Sequence, residues 1–148
     1  MNIKPHHKKL KADVLAISRM RSRYTGSHRP GLIRCNTQLA TQHPTKADLD
    51  WAAGFLEGEG SFGHYGKTSL HNGSERVSAA QKQEECLYRL ARLFGGRVGK
   101  YRKENIRGRI FCYWQINGTL ARGLMMTLFP LLSKWRRKQI TQALAMGT

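Results

Sequence analysis

The chain has 148 residues, of which 26 are Lys or Arg and 9 are Asp or Glu, a formal net charge of +17. At 40% hydrophobic residues it can build a globular core, and its length allows one domain with or without a tail. No apolar run approaches the roughly 20 residues of a membrane-spanning helix, which excludes a helical membrane span, and the charge excess points to a polyanionic partner.

The charge is unevenly spread. Residues 1–46 hold ten basic residues against Asp13 alone, whereas residues 47–148 hold sixteen basic and eight acidic ones. The first segment has one short apolar stretch, Val14-Leu15-Ala16-Ile17, and is then interrupted by Gly26, Pro30, Gly31 and Pro44. Residues 1–44 are therefore expected to be a basic, largely flexible arm, with residues 45–148 as a single folded domain. The arm admits three readings: a phosphate-gripping extension, an organellar targeting segment, or upstream sequence of little consequence. Cys35, Cys86 and Cys112 are far apart and form no CxxC pair, so they read as thiols of a reducing compartment rather than zinc ligands. The expected location is intracellular, in a bacterial or phage cytoplasm or in an organelle.

From Thr45 the pattern changes. Thr45-Lys46-Ala47-Asp48 has the form of a capping box and opens a helix through Leu49, Trp51, Ala52, Ala53, Phe55 and Leu56, ended by Gly58 and Gly60. A strand is expected from Ser61 to about Leu70, a hairpin turn at Asn72-Gly73, and a second strand over Ser74 to Ala80. Leu87, Leu90, Ala91 and Phe94 then recur at helical spacing before Gly95-Gly96. Two further strands, Arg97 to Lys103 and Arg109 to Ile116, are joined by a turn near Asn105. A helix from Thr119 ends before Pro130, and a basic helix covers Ser133 to Ala145. The order α-β-β-α-β-β-α-α predicts an α+β domain: a four-stranded antiparallel sheet with helices on one face and the other face left for a ligand.

Residues 51–62 carry two physical oddities. Gly54 and Gly58 lie on one helix face, each costing about 1 kcal/mol relative to Ala. With Ala53 nearby, that face is almost bare and suits close backbone approach to another helix. Glu57 and Glu59 stand at the helix C-terminus, where the macrodipole disfavours acids by a few tenths to about 1 kcal/mol. A bound cation would offset that cost. The plain alternative is a glycine-rich turn with exposed acids paired to neighbouring arginines.

The stretch Ala52-Ala53-Gly54-Phe55-Leu56-Glu57-Gly58-Glu59-Gly60, followed by Ser61-Phe62, resembles the motif that names the LAGLIDADG homing endonucleases. It departs from the motif where Ala52 replaces Leu and where both acids are Glu. The resemblance continues through Val77-Ser78-Ala79-Ala80-Gln81-Lys82, Leu93-Phe94-Gly95-Gly96, Tyr113-Trp114 and Phe129-Pro130-Leu131-Leu132, covering about residues 46–146. It implies an α-β-β-α-β-β-α core with a saddle-like sheet and cleavage of double-stranded DNA with Mg²⁺ or Mn²⁺. Glu59 would bind the metal, Gly58 would lend it a backbone carbonyl, and Glu57 would be structural. Gln81 would orient water, and a basic residue after Pro130, either Lys134 or Arg136, would stabilise charge. The family's arginine shortly after the Gln is missing, since Glu84-Glu85 fall there. A single motif per chain implies a homodimer packed through Ala53, Gly54 and Gly58, and a near-palindromic target.

Strand alternation suggests the reading surface. Tyr65, Lys67 and Ser69 are expected on the first strand and Ser74, Arg76 and Ser78 on the second. Lys100 and Arg102 are expected on the third, and Arg109, Phe111 and Tyr113 on the fourth. Phe62, Val77, Val98 and Trp114 would line the opposite, apolar face. Arg137 and Lys138, with Lys134 and Arg136, would grip phosphates. Two other classes stay open. One is a cleavage-inactive binder of the same fold, such as an intron RNA maturase or a DNA-binding regulator. The other is a small packaging or ribosomal protein that uses charge alone.

Overall fold

The computed structural model describes residues 32–103 and 109–147, and for residues 32–38, 101–103 and 109 the backbone path alone. These residues form an α+β domain. In chain order its elements are β1 (Leu32–Gln38), α1 (Lys46–Glu59), β2 (Gly60–Tyr65), β3 (Ser74–Gln81), α2 (Glu85–Phe94), β4 (Gly96–Lys103), β5 (Arg109–Asn117), α3 (Gly118–Leu128), a 3₁₀ turn (Phe129–Leu131) and α4 (Lys134–Met146).

The sheet is antiparallel throughout, in the order β1-β4-β5-β3-β2. It has five strands rather than the expected four. The fifth is β1, formed by residues 32–38 of the segment read as a flexible arm, so the folded unit begins before Thr45. Residues 1–31 lie outside the described residues. The link from β1 to α1 is also anchored: the backbone N–H groups of Thr41 and Gln42 donate to the Arg92 carbonyl at 2.9 and 3.2 Å.

The capping box forms. Thr45 Oγ1 accepts from the Asp48 N–H at 3.2 Å, and the Asp48 carboxylate accepts from the Thr45 N–H at 3.0 Å. These bonds, with a nearby Arg89 guanidinium, hold the Asp48 carboxyl below its ordinary pKa. All four described helices pack on one face of the sheet. A single apolar cluster joins Leu56 of α1, Leu87 and Leu90 of α2, Met125 and Leu128 of α3, and Ile140 of α4 to Phe62, Val77, Val98, Cys112, Trp114 and Ile116 of the strands. Burying each large side chain contributes about 1.5–3 kcal/mol.

Trp114 stands at the centre of that cluster, between Ala79 and Val98 on the flanking strands. Its indole N–H donates to the Gly95 carbonyl at 2.8 Å, tying the end of α2 to the middle strand. The chain then enters β4 through Gly96, at φ +105°, where a Cβ would stand 2.6 Å from the Gln115 carbonyl oxygen. Only glycine permits that approach.

The β2–β3 connection differs from expectation. β2 ends at Tyr65, and residues 66–73 form an eight-residue loop rather than a tight Asn72-Gly73 hairpin. Lys67 and Ser69 therefore sit in an exposed loop and not on a strand face. Next to that loop Glu75 is buried and accepts from Arg122 of α3 at 2.6 and 3.1 Å. Burial pushes its carboxyl pKa up, but the hydrogen bonds and charge of Arg122 outweigh this and leave it below the ordinary value.

Candidate functional site

The candidate site is built where α1 hands the chain to β2. The helix makes its last backbone bond from the Gly60 N–H to the Leu56 carbonyl, which leaves the carbonyls of Glu57 and Gly58 beyond the helical ladder. The last turn has no basic residue. The two acids there have different fates. The Glu57 carboxylate accepts the Ser133 N–H at 3.0 Å, at the N-terminus of α4. Hydrogen bonds from Ser133, and secondarily the Arg136 charge, hold its pKa below the ordinary value despite some burial. Glu59 is exposed, and no hydrogen bond or ion pair to it is found among the described residues. At this negative end of the helix none of the described residues supplies it a counter-charge.

One exposed stripe of α1 runs through Asp50, Gly54 and Gly58. Nothing lies within 4 Å of where a Cβ would sit on Gly54 or Gly58. Beside the stripe, Trp51 and Phe55 stack with ring centroids 5.5 Å apart, and the Arg89 guanidinium lies 3.9 Å from the Trp51 ring centre. This half-buried aromatic pair was not anticipated, although its i, i+4 spacing next to Gly54 is visible in the sequence. Ala53 does not belong to the stripe. It is buried in the core beside Ala52 and Leu56, because one residue around the helix turns its side chain by about 100° towards the sheet.

Gln81 is half-buried at the end of β3, two residues past Ala79, which pairs with Gly60. It thus lies at the same end of the sheet as the C-terminus of α1. Lys134 is exposed at the first position of α4. Arg136 has another commitment. Its Nε and Nη2 donate to the Glu57 carbonyl at 3.0 and 2.8 Å, and Nη1 donates to Gln139 at 3.0 Å. Of the two basic residues named as candidates for charge stabilisation, Lys134 is the exposed one. Arg137 and Lys138 are exposed on the same turn.

No described helix covers the face of the sheet opposite the core. Strand pairing sets cross-strand rows there: Arg97, Gln115, Ser78 and Ser61; Gly99, Tyr113 and Ala80; Asn117, Arg76 and Gly63; and Ser74 with Tyr65. Arg76 donates from Nε to Asn117 Oδ1 at 2.9 Å and places its guanidinium 4.7 Å from the centre of the exposed Tyr65 ring. The Tyr65 ring lies back over Gly63, where a Cβ would come within 2.7 Å of it. Ser74 and Ser78 are half-buried on this face.

Several expected contact residues are placed elsewhere. Lys100 pairs in register with Cys112, so it shares the helix-covered face with Val98 and forms an ion pair with Glu84. Tyr113 is on the open face but buried, its ring lying over Gly99. Gln115 and Arg97 on the same face are also buried. The side chains of Arg102 and Arg109 lie outside the described residues. Asn117 lies one residue past the expected strand end at Ile116, although the alternation of Tyr113 and Gln115 extends to it.

Among the described residues no group of three or more His, Cys, Asp or Glu side chains could hold a metal ion. Nor is any described helix long and apolar enough to cross a membrane. No protein-family model matches the chain, and no curated protein matches it.

Proposed function

We propose that this chain is a site-specific, divalent-metal-dependent endonuclease of the LAGLIDADG homing type, cutting double-stranded DNA as a homodimer. The observation that carries the reading is Glu59, an exposed carboxylate with no counter-charge among the described residues, at the foot of a helix whose outward stripe carries Gly54 and Gly58. The order of helices and strands, the polar face of the sheet and the net charge of +17 support it.

The donor set suits a hard cation. The Glu59 carboxylate and the Gly58 carbonyl are oxygen ligands of the kind Mg²⁺ and Mn²⁺ take, together with waters and phosphate oxygens. One chain supplies too few ligands for a protein-only shell, so a second copy meeting the first along the Gly54–Gly58 stripe completes the site. When bound, the ion supplies charge stabilisation at the phosphate and a water of lowered pKa. The protein's own part is positional. Glu59 and Gly58 hold the cation, the Gln81 amide hydrogen-bonds and orients water, and the Lys134 ammonium meets phosphate charge. Arg76, Asn117, Tyr65 and the serines of the open face approach base edges, while Arg137 and Lys138 take backbone phosphates.

The test is selection of cut sites from a randomised duplex pool with Mg²⁺. Paired, near-palindromic cuts are expected, and Glu59→Gln is expected to abolish cutting while leaving binding in place. Cutting that survives Glu59→Gln refutes the metal role. Specific binding without any cutting, or tighter binding to intron RNA than to duplex DNA, assigns the chain to a cleavage-inactive binder of the same fold.

A further inference from the structure

The end of α1 that the proposed function gives to the cation has an unusual backbone. Glu59 lies between Gly58 and Gly60, the two residues that restrain a chain least. A helix end of this composition frays readily. The structure counters that freedom one residue upstream. The Arg136 guanidinium closes on the Glu57 carbonyl through two N–H groups, and the Ser133 N–H holds the Glu57 carboxylate. The third arm of Arg136 is fixed by Gln139, and the guanidinium lies 5.9 Å from the centre of the buried Phe62 ring. Each of the three nitrogens of this fork thus donates to the protein, whereas Lys134, Arg137 and Lys138 on the same turn are exposed.

We propose that Arg136, assisted by Ser133, is a positioning residue: it clamps the end of α1 so that Gly58 and Glu59 present their oxygens to a divalent cation. The phosphate-facing turn of α4 and the cation-holding end of α1 then form one rigid piece, and DNA gripped by the first is set in register with the second. This inference rests on the endonuclease reading. It assigns Arg136 a task distinct from direct contact with the phosphate.

The experiment measures Mn²⁺ affinity by electron paramagnetic resonance, using full-length protein bound to its selected duplex with uncleavable linkages at the cut positions. Wild type is compared with Arg136→Gln and Arg136→Lys, and Glu59→Gln serves as the control without the carboxylate. Removing the clamp is expected to weaken Mn²⁺ binding about 10- to 100-fold, as loss of an outer support does at metal sites, with duplex affinity measured without divalent ions unchanged. Arg136→Lys keeps one donor in place of the fork and is expected to fall between wild type and Arg136→Gln. A folded Arg136→Gln or Arg136→Lys protein with wild-type Mn²⁺ affinity overturns the positioning role alone. So does a loss of duplex affinity at unchanged Mn²⁺ affinity, which would put Arg136 on the phosphate. A wild-type complex that binds no Mn²⁺ overturns the endonuclease reading, and the clamp with it.

Discussion

Gly54→Ala separates the folding of one chain from the meeting of two, because it acts on them with opposite signs. Within the single chain a Cβ at residue 54 enters open space, and the residue lies in the interior of a 14-residue helix. The change removes the helix penalty of glycine, so the isolated chain gains about 1 kcal/mol. That gain raises the melting temperature by roughly 4 °C for a domain of this size. If the bare stripe is a seam between two copies, the same methyl group is inserted twice across the two-fold axis. Overpacking costs about 1 kcal/mol or more per site, so the dimer loses about 2 kcal/mol and its dissociation constant rises roughly 30-fold. Sedimentation over a range of concentrations reads the second effect, and thermal melting at the lowest concentration reads the first. Association as tight as wild type, with the melting gain intact, would refute the seam. A loss of melting temperature in the dilute protein would refute the open space around Gly54.

Other consequences are more local. Trp114→Phe removes the indole donor to the Gly95 carbonyl and is expected to cost about 1–3 kcal/mol in urea unfolding; a change near zero would show that the bond contributes nothing. Thr45→Ala breaks the capping box and is expected to cost about 1 kcal/mol, read as a lower urea midpoint at unchanged slope. The folded-state pKa values of Glu75 and Glu57 are depressed, so the stability they contribute is present above the ordinary carboxylate range and is lost as pH falls through it. Unfolding free energy is therefore expected to decline from about pH 5 downwards, and Glu75→Gln is expected to flatten that decline. An unaltered slope in Glu75→Gln would show that its pairing with Arg122 does not set acid stability.

The elements that the sequence made legible are those where local chemistry and tertiary packing agree. The capping box at Thr45, the Leu87/Leu90/Ala91 spacing, the Gly95-Gly96 stop and the alternation of Cys112, Trp114 and Ile116 all correspond to observed elements. The first strand of the sheet was missed because the segment was weighed by its charge and its Pro and Gly residues: Ile33, Cys35 and Thr37 do alternate with Arg34, Asn36 and Gln38 after Pro30-Gly31, and pairing with β4 makes them a strand. Lys100 was misplaced because its charge was weighed above its parity. It lies two residues from Val98, and a strand repeats every two residues, so both face the core. The site was half legible. Glu59, Gly54 and Gly58 stand out by residue type at one helix end, and the structure leaves all three exposed. The link from Arg136 to the Glu57 carbonyl spans 79 positions and involves a backbone acceptor, which no residue pattern advertises.

The pairing of β1 with β4 bears on how this protein can be shortened. Residues 32 and 34–38 saturate the outer row of amides and carbonyls on β4 from Gly96 to Tyr101, and the register slips between Leu32 and Arg34. A naked strand margin recruits other chains into continuous sheets, whereas a short, irregular border strand discourages such growth. A version trimmed to residue 45 would strip that margin bare and is expected to self-associate through it. One trimmed only to residue 32 keeps its cover and is the piece to carry forward when the basic tail is removed.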